Sequence, residues 1–271
     1  MSVAGEKYIF YHYNPSTAAA AAFAALFGIS AGLHSVQLGL RRTWYFIPFV
    51  IGGLFEVIGY AARTYSASQS PFWSAGPYST QSLMLLLAPA LFAASIYMVL
   101  GRIIRLTDGE QHSVIKAKWL TKIFVTGDAI SFLAQSAGGG MLVKADTKKK
   151  ADMAQNMITG GLGIQVLFFS LFMVVTLIFH IRMRHAPSLR AQSITVPWQQ
   201  YIIILYVASI FILVRSVFRI AEYVGGSEGV LLSKEFYLYI FDAALMFLTM
   251  ALFNLRHPCH VVAGKKDLAK D

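Results

Sequence analysis

Long apolar stretches alternate with short polar connections along the whole chain. Seven of these stretches are long enough to cross about 30 Å of hydrocarbon as helices, which takes roughly 20 residues each. None has the ten-residue alternation of apolar and polar positions that is typical of a membrane β-barrel. The pattern predicts an all-α fold, a bundle of seven transmembrane helices, at 17–40, 45–65, 78–104, 119–143, 157–181, 198–223 and 236–255.

The composition supports a membrane protein. Of the 271 residues, 56% are hydrophobic and only 13% are charged, whereas soluble domains carry about a quarter charged residues. We therefore predict one transmembrane domain at 17–257, preceded by an extracellular segment at 1–16 and followed by a basic cytoplasmic tail at 258–271. The single cysteine, Cys259, excludes an intramolecular disulfide.

The positions of lysine and arginine predict the orientation, because these residues concentrate in cytoplasmic loops. With the N-terminus outside, fourteen of them lie on the cytoplasmic side and six lie outside. The cytoplasmic set is Arg41, Arg42, Arg102, Arg105, Lys116, Lys118, Lys122, Arg182, Arg184, Arg190, Arg256, Lys265, Lys266 and Lys270. The outer set is Lys7, Lys144, Lys148, Lys149, Lys150 and Lys234. The net charge of +10 is thus explained by topology and lipid contact, and no nucleic-acid partner is expected.

Eight charged residues fall inside the predicted spans or at their ends, where an ionisable group costs at least a few kcal/mol. Several are seven residues apart, which is two helical turns and places each pair on one face of its helix. The eight are Glu56, Arg63, Asp128, Arg215, Arg219, Glu222, Glu235 and Asp242. Polar neighbours on or near the same faces are Tyr60, Ser131, Gln135 and Tyr239.

The predicted orientation gathers these twelve residues into one cluster in the outer half of the bundle. Five carboxylates against three guanidiniums leave two negative charges in excess on formal count. One interpretation is a structural network of ion pairs, for instance between Arg219 and Glu222 within one helix. The other, which the charge imbalance favours, is a hydrated cavity open to the outside that binds a cationic headgroup.

Catalytic motifs are not evident in the sequence. There is no Walker loop, nucleotide fingerprint or G-x-S-x-G element, so the chain is predicted not to be an enzyme and to need no cofactor. A zinc site would require converging ligands, and only His257 and His260 with His34 or His180 come into question. A hydrolase of the ceramidase type therefore stays a minor alternative.

Short motifs also occur in a characteristic order and depth, and together they cover roughly residues 8–258. They are Tyr11-x-Tyr13-x-Pro15-Ser16, His34 with Gln37, Glu56-x-x-Gly59-Tyr60-x-x-Arg63, Leu87-Ala88-Pro89 with Tyr97, Asp128-x-x-Ser131-x-x-x-Gln135, Gly138-Gly139-Gly140, Arg215-x-x-x-Arg219-x-x-Glu222, Gly226, Glu235, Asp242 and His257-Pro258. In this order they resemble the motifs of the fungal lipid-translocating exporter family. Its members are seven-span proteins linked to resistance to 7-aminocholesterol and to sphingoid long-chain bases.

The resemblance implies a multi-pass fungal membrane protein, often of the plasma membrane, that moves amphipathic lipids or toxic amphiphiles. Its partners would be membrane lipids and an amphipathic small-molecule substrate, and the charged cluster would bind the headgroup. Some relatives are linked to porphyrin or haem traffic. A seven-span lipid receptor or sensor is the alternative that remains open.

Overall fold

The computed structural model describes residues 11, 13–143, 147–225 and 234–259. The predicted N-terminal segment and basic tail lie largely outside these described residues. Within them the regular structure is entirely helical, as predicted. The long helices are α1 (Thr17–Arg41), α2 (Ile47–Ser68), α3 (Ala75–Leu106), α4 (Ala117–Val143), α5 (Lys148–His185), α6 (Trp198–Val224) and α7 (Glu235–Leu255). Shorter helical turns in the connections are Trp44–Phe46, Glu110–His112 and Leu189–Ser193.

Six of these helices, all except α4, are long and apolar enough to cross a membrane. The 27-residue α4 is less apolar, because Asp128, Gln135 and three successive glycines interrupt it. It nevertheless runs beside its neighbours from end to end. Gly101 of α3 lies near the first residue of α4, and Gly138 lies against Ile158 in the early part of α5. The fold is therefore a bundle of seven helices, in which α4 packs between α3 and α5.

Local sequence explains where individual helices begin and end. Ser16 caps α1, because its hydroxyl accepts the Ala19 N–H at 3.3 Å, and Arg42 ends that helix in the left-handed conformation at φ 52°. Thr147 caps α5 in the same way, at 3.4 Å from the Lys150 nitrogen. As a result α5 begins at Lys148, well before the predicted start at 157, since a helix can continue beyond its apolar part.

The seven helices form a closed ring, of which α3 is a largely buried member. Consecutive helices pack side by side, α7 packs against both α6 and α1, and α3 also contacts α6 across the bundle. In α3, 67% of the most apolar window is buried, against 28% in α1. Aromatic rings fill the interior between α2 and α3, where the Phe49 and Phe92 ring centroids are 4.6 Å apart. Groups on α3 therefore face several other helices at once.

Two irregularities of the helical backbone lie beside the buried charges. Pro89 interrupts α3, and because proline has no N–H, the Leu85 carbonyl four residues earlier lacks its helical donor. In α7, residues Tyr239–Ala244 form a π-helical turn that contains Asp242. Such turns occur frequently at functional sites. Both irregularities shape the candidate site.

Candidate functional site

The twelve predicted site residues separate into three groups in the structure. The Asp242 group comprises Glu56, Tyr60, Arg215, Arg219, Glu222 and Asp242, from α2, α6 and α7. The Arg63 group comprises Arg63, Glu235 and Tyr239, with Tyr11 and Tyr13. The Asp128 group comprises Asp128, Ser131 and Gln135 on α4, with Tyr97 and Gln165. The prediction of one cluster shared by four helices was wrong for the α4 residues, because they find hydrogen-bond partners on α3 and α5 instead.

Asp242 holds the two buried arginines of its group together. One carboxylate oxygen accepts from Arg215 Nε and the other from Arg219 Nη2. Arg219 also donates to Glu222 at 2.9 Å, which confirms the predicted pairing within α6. Charge-assisted bonds of this kind are stronger than neutral ones. The π-helical turn contributes Asp242 from α7 to both arginines of α6.

Arg215 has a further acceptor that comes directly from the proline in α3. Its Nη2 lies 2.6 Å from the Leu85 carbonyl oxygen, the oxygen that Pro89 leaves without a helical donor. The Arg215 side chain is 1% exposed, so each N–H needs a partner within the protein. The proline thus supplies a backbone acceptor for a buried charge.

Glu56 is the unpartnered carboxylate of the Asp242 group. It is 1% exposed, and neither of its oxygens has a hydrogen-bond partner. It interacts electrostatically with Asp242, Arg215 and Arg219 without an ion pair to either arginine. The group holds three carboxylates and two guanidiniums. When all are ionised, Glu56 is the negative charge that no arginine neutralises directly.

The Arg63 group lies two turns along α2 from Glu56, and its arginine is paired with an acid. Arg63 donates to Glu235 at 2.7 Å and to the Tyr13 hydroxyl at 2.8 Å, and to Tyr239 at 3.3 Å. The rings of Tyr11, Tyr13 and Tyr239 surround its guanidinium, with centroids 5.5 to 5.8 Å away. Glu235 neutralises the charge of Arg63, and the three rings add cation–π contacts. Because Tyr11 and Tyr13 come from the segment before α1, this group closes one end of the bundle.

The segment before α1 covers the Arg63 group. The Tyr11 hydroxyl contacts Ser66 at 3.1 Å and Gln81 at 2.9 Å, and the Ser16 N–H donates to Glu235 at 2.9 Å. Burial raises the pKa of the Tyr11 and Tyr13 phenols above their ordinary value, so both stay neutral hydrogen-bonding groups. Tyr11, Tyr13 and Gln81 were absent from the predicted site. Their signal is a polar side chain beside or within an apolar span, together with the motif that precedes α1.

The Asp128 group forms a separate polar contact between α3, α4 and α5. Tyr97 of α3 donates to Asp128 at 2.9 Å. Ser131 donates to the Gly161 carbonyl of α5 at 2.6 Å, and Gln135 donates to Ser131 at 2.6 Å and to Gln165 at 3.1 Å. Tyr97 and Gln165 were also missed as site residues. Gln165 is the detectable one, because an amide inside an apolar span requires a partner.

The candidate site is closed in this conformation. Exposure is 1% for Glu56 and Asp242 and 0% for Tyr60 and Arg63. The charge imbalance in the sequence favoured a hydrated cavity open to the outside, whereas the charged groups are packed among the helices and Tyr11 and Tyr13 lie over one end. Access of a headgroup to Glu56 would therefore require helix movement.

The histidines considered as zinc ligands do not converge. The His34 and His257 rings come within 6.4 Å of each other, but a His34 ring nitrogen is already bonded to the Met250 carbonyl. His180 lies elsewhere, against Trp198 and Tyr206. His260 lies outside the described residues. In the described ranges there is no group of three or more side chains that could hold a metal ion.

Comparison with known proteins gives relatives along most of the chain. The chain is 33% identical to Protoporphyrin uptake protein 1 of Saccharomyces cerevisiae, over 94% of both proteins. It is 30% identical to the probable lipid transporter atnI of Emericella nidulans, over 93% of this chain and 68% of that one. It is 26% identical to the sphingoid long-chain base transporter RSB1 of Saccharomyces cerevisiae, over 89% and 71%.

No solved structure matches the chain. The family of RTA1-like proteins matches residues 49–265, a range that includes Glu56, Arg63, the Asp128 group and both arginines of α6. This confirms the family resemblance inferred from the motifs. The chain is a multi-pass membrane protein that belongs to the RTA1-like family.

Proposed function

We propose that this protein translocates amphipathic lipids with a cationic headgroup, such as sphingoid long-chain bases, and that Glu56 binds the amine. The observation that carries the proposal is the fully buried Glu56 carboxylate without a hydrogen-bond partner. An ammonium group would provide both the charge and the donors that Glu56 lacks. The relatives named as lipid and sphingoid base transporters support this substrate class.

The other residues of the Asp242 group have supporting roles in this proposal. Arg215 and Arg219 hold Asp242 and Glu222 in place, so that these carboxylates do not compete for the amine. The Tyr60 hydroxyl, one helical turn from Glu56, is also buried without a partner and would bind a headgroup hydroxyl. Ile51, Leu54 and Ile58 on the same helix are exposed and offer an apolar surface to the lipid tail.

The closed arrangement fits one state of a transport cycle. We assign the N-terminus to the outside, as the lysine and arginine distribution predicts, and the protein to the fungal plasma membrane. The Arg63 group then lies at the outer end and separates Glu56 from the external solution. Release of the amine outward would require Tyr13 and Glu235 to leave Arg63.

Replacement of Glu56 tests the proposal. In a fungal strain that lacks the protein, E56Q should remove protection against added sphingoid base while protein abundance is unchanged, because the amide keeps the volume and loses the charge. E110Q is the matched control, since Glu110 is exposed in a connection between helices, and it should protect as the wild type does. Full protection by E56Q would contradict the role of Glu56.

A second candidate substrate is a porphyrin, which the 33% identical protoporphyrin uptake protein favours. Protoporphyrin carries carboxylates, so it would bind the arginines and displace Asp242 rather than approach Glu56. Purified protein in liposomes distinguishes the two. Movement of a fluorescent sphingoid base that excess porphyrin does not reduce supports the amine site, and movement of porphyrin alone supports the second candidate.

The same liposomes separate a transporter from a lipid sensor. A sensor would bind the fluorescent base without moving it between leaflets. An enzyme would convert the substrate, so intact lipid recovered on the opposite leaflet supports transport. We propose transport because the chain is similar to lipid and sphingoid base transporters and has an unpartnered buried carboxylate at Glu56.

A further inference from the structure

A second carboxylate without a cationic partner lies in the half of the bundle away from the arginines. Asp128 is 3% exposed. One of its oxygens accepts from Tyr97 at 2.9 Å, and the other has no hydrogen-bond partner. Gln135, two turns along the same face, likewise has an amide oxygen without a partner. The Asp128 group is thus short of donors at two buried acceptors.

The elements packed against α4 present no cation to Asp128. From α3 the titratable group that contacts Asp128 is Tyr97. From α5 the polar side chain that contacts the Asp128 group is Gln165, which accepts from Gln135. On α4 itself, Lys122 is exposed and lies over the Trp119 ring at 5.3 Å. The charges described on α5 occupy its end turns. No salt bridge or helix N-terminus among the described residues would stabilise the negative charge of an ionised Asp128.

An isolated ionised carboxylate in an apolar interior costs far more free energy than a neutral carboxylic acid. We infer that Asp128 is a proton-binding site, separate from the amine site at Glu56, and that Tyr97 positions it. The ligand is a proton, because one hydrogen bond and an unpartnered oxygen suit a carboxylic acid better than a hydrated or multiply coordinated metal cation.

The surroundings of Asp128 connect it to the arginines through α3. A side-chain carbon added at Gly161 would lie 2.9 Å from the Ser131 carbonyl, and one at Gly138 would lie 2.8 Å from the Ala154 carbonyl. Such close approach holds α4 against α5 as a unit, while the Tyr97–Asp128 hydrogen bond joins α4 to α3. Loss of the proton would draw water to Asp128 and loosen α3, whose Leu85 carbonyl holds Arg215. Proton binding at Asp128 would in this way control the Asp242 group.

Infrared spectroscopy of the purified protein tests the proton without reference to transport. The spectrum of the wild type should contain a protonated carboxyl band that is missing from D128N and present in D152N, the matched control at an exposed position of α5. A difference spectrum that contains only ionised carboxylate bands would overturn the proposal. If D128N does not fold, Y97F decides: the carboxyl band should shift when the Tyr97 donor is removed, and an unshifted band would contradict the site.

The coupling step rests on the proposed transport function, and a liposome experiment separates the two. A pH gradient should accelerate movement of fluorescent sphingoid base by the wild type. D128N should move the base equally with and without the gradient, whereas E56Q should not move it in either condition. An unchanged response to the gradient in D128N would overturn the coupling. Absence of movement by the wild type would contradict the transport function and leave the infrared result to decide proton binding.

Discussion

A guanidinium inside a membrane bundle must direct its N–H groups to acceptors within the protein, and Arg215 has two of them on different helices. Asp242 supplies a carboxylate from α7, and the Leu85 carbonyl supplies a backbone oxygen from α3. The second acceptor exists because Pro89 cannot donate to Leu85. A proline and an arginine far apart in sequence therefore act together.

Pro89 and Arg215 should show energetic coupling in a double-mutant cycle. P89A restores an N–H that must share the Leu85 carbonyl with Arg215. In the R215K variant the lysine no longer contacts the Leu85 carbonyl. The change in unfolding free energy caused by P89A should therefore be about 1 kcal/mol more favourable in R215K than in the wild type, which is the scale of one hydrogen bond. Thermal and denaturant unfolding of the purified protein in detergent would measure the four variants.

The control for this cycle is P48A, in the first turn of α2, where proline replaces an N–H that has no helical partner. P48A and R215K should be additive within about 0.5 kcal/mol, as expected for separate sites. If P89A and R215K are equally additive, the Leu85 carbonyl does not stabilise Arg215 as the geometry indicates.

Sequence patterns predicted some of the contacts between individual residues of the site. The spacing within α6 predicted the Arg219–Glu222 pair. Arg63 and Glu235, which the sequence placed only in a common cluster, also form an ion pair. Pattern alone did not reveal that Glu56 lacks a partner, because this depends on the rotations of α2, α6 and α7 about their axes. It also placed Asp128 with the arginines, since equal depth does not determine which neighbours a helix has in the ring.

At the scale of elements, the segment before α1 is a structural part of the bundle. Its Tyr13 hydroxyl accepts from Arg63 at 2.8 Å, and Tyr11 packs edge-on against Trp73 and Tyr78, with ring centroids 5.4 Å apart in each pair. These contacts tie the segment to α2 and to the start of α3. Its attachment to the bundle should therefore depend on single hydroxyl groups.

Y13F should weaken the closure of this end of the bundle. Removal of the hydroxyl leaves one Arg63 N–H without its acceptor, so we expect the free energy of unfolding to fall by about 1.5 kcal/mol, as for other hydrogen bonds to charged groups. Limited proteolysis of the N-terminal segment should become faster as well. Y65F is the control, because Tyr65 is 61% exposed, and it should change stability by less than about 0.5 kcal/mol. Equal effects of the two variants would mean that Tyr13 does not hold the segment.

The helices themselves were predicted well, and the exceptions have physical reasons. Hydropathy located all seven helices, because apolar length is what a membrane requires. It could not locate the start of α5 at Lys148, since the Thr147 cap lies beyond the apolar part. The π-helical turn at Tyr239–Ala244 was also not predicted. A π-helical turn has no distinctive amino-acid composition, and its position here follows from the contacts of Asp242 with α6.

In the whole molecule, Glu56 and Asp128, two buried carboxylates without an ion-pair partner among the described residues, occupy different parts of the ring. Glu56 faces α6 and α7 from α2, and Asp128 faces α3 from α4. The buried helix α3 lies between them and contacts both parts through Tyr97 and Leu85. Under the proposals above, α3 is therefore the element through which protonation of Asp128 would reach Arg215.

The direction in which the amine would leave the bundle depends on the orientation of the helices in the membrane. The distribution of lysine and arginine, fourteen on the cytoplasmic side and six outside, predicts that orientation. Two residues that are both 87% exposed allow a matched test, Phe72 between α2 and α3 and Leu189 between α5 and α6. In a C259S background, which removes the single cysteine, an impermeant maleimide added to intact cells should label F72C and spare L189C, and permeabilised cells should label both. The reverse pattern would place the N-terminus inside, and the Arg63 group would then close the cytoplasmic end, so that Glu56 would have to release its amine inward past Tyr13.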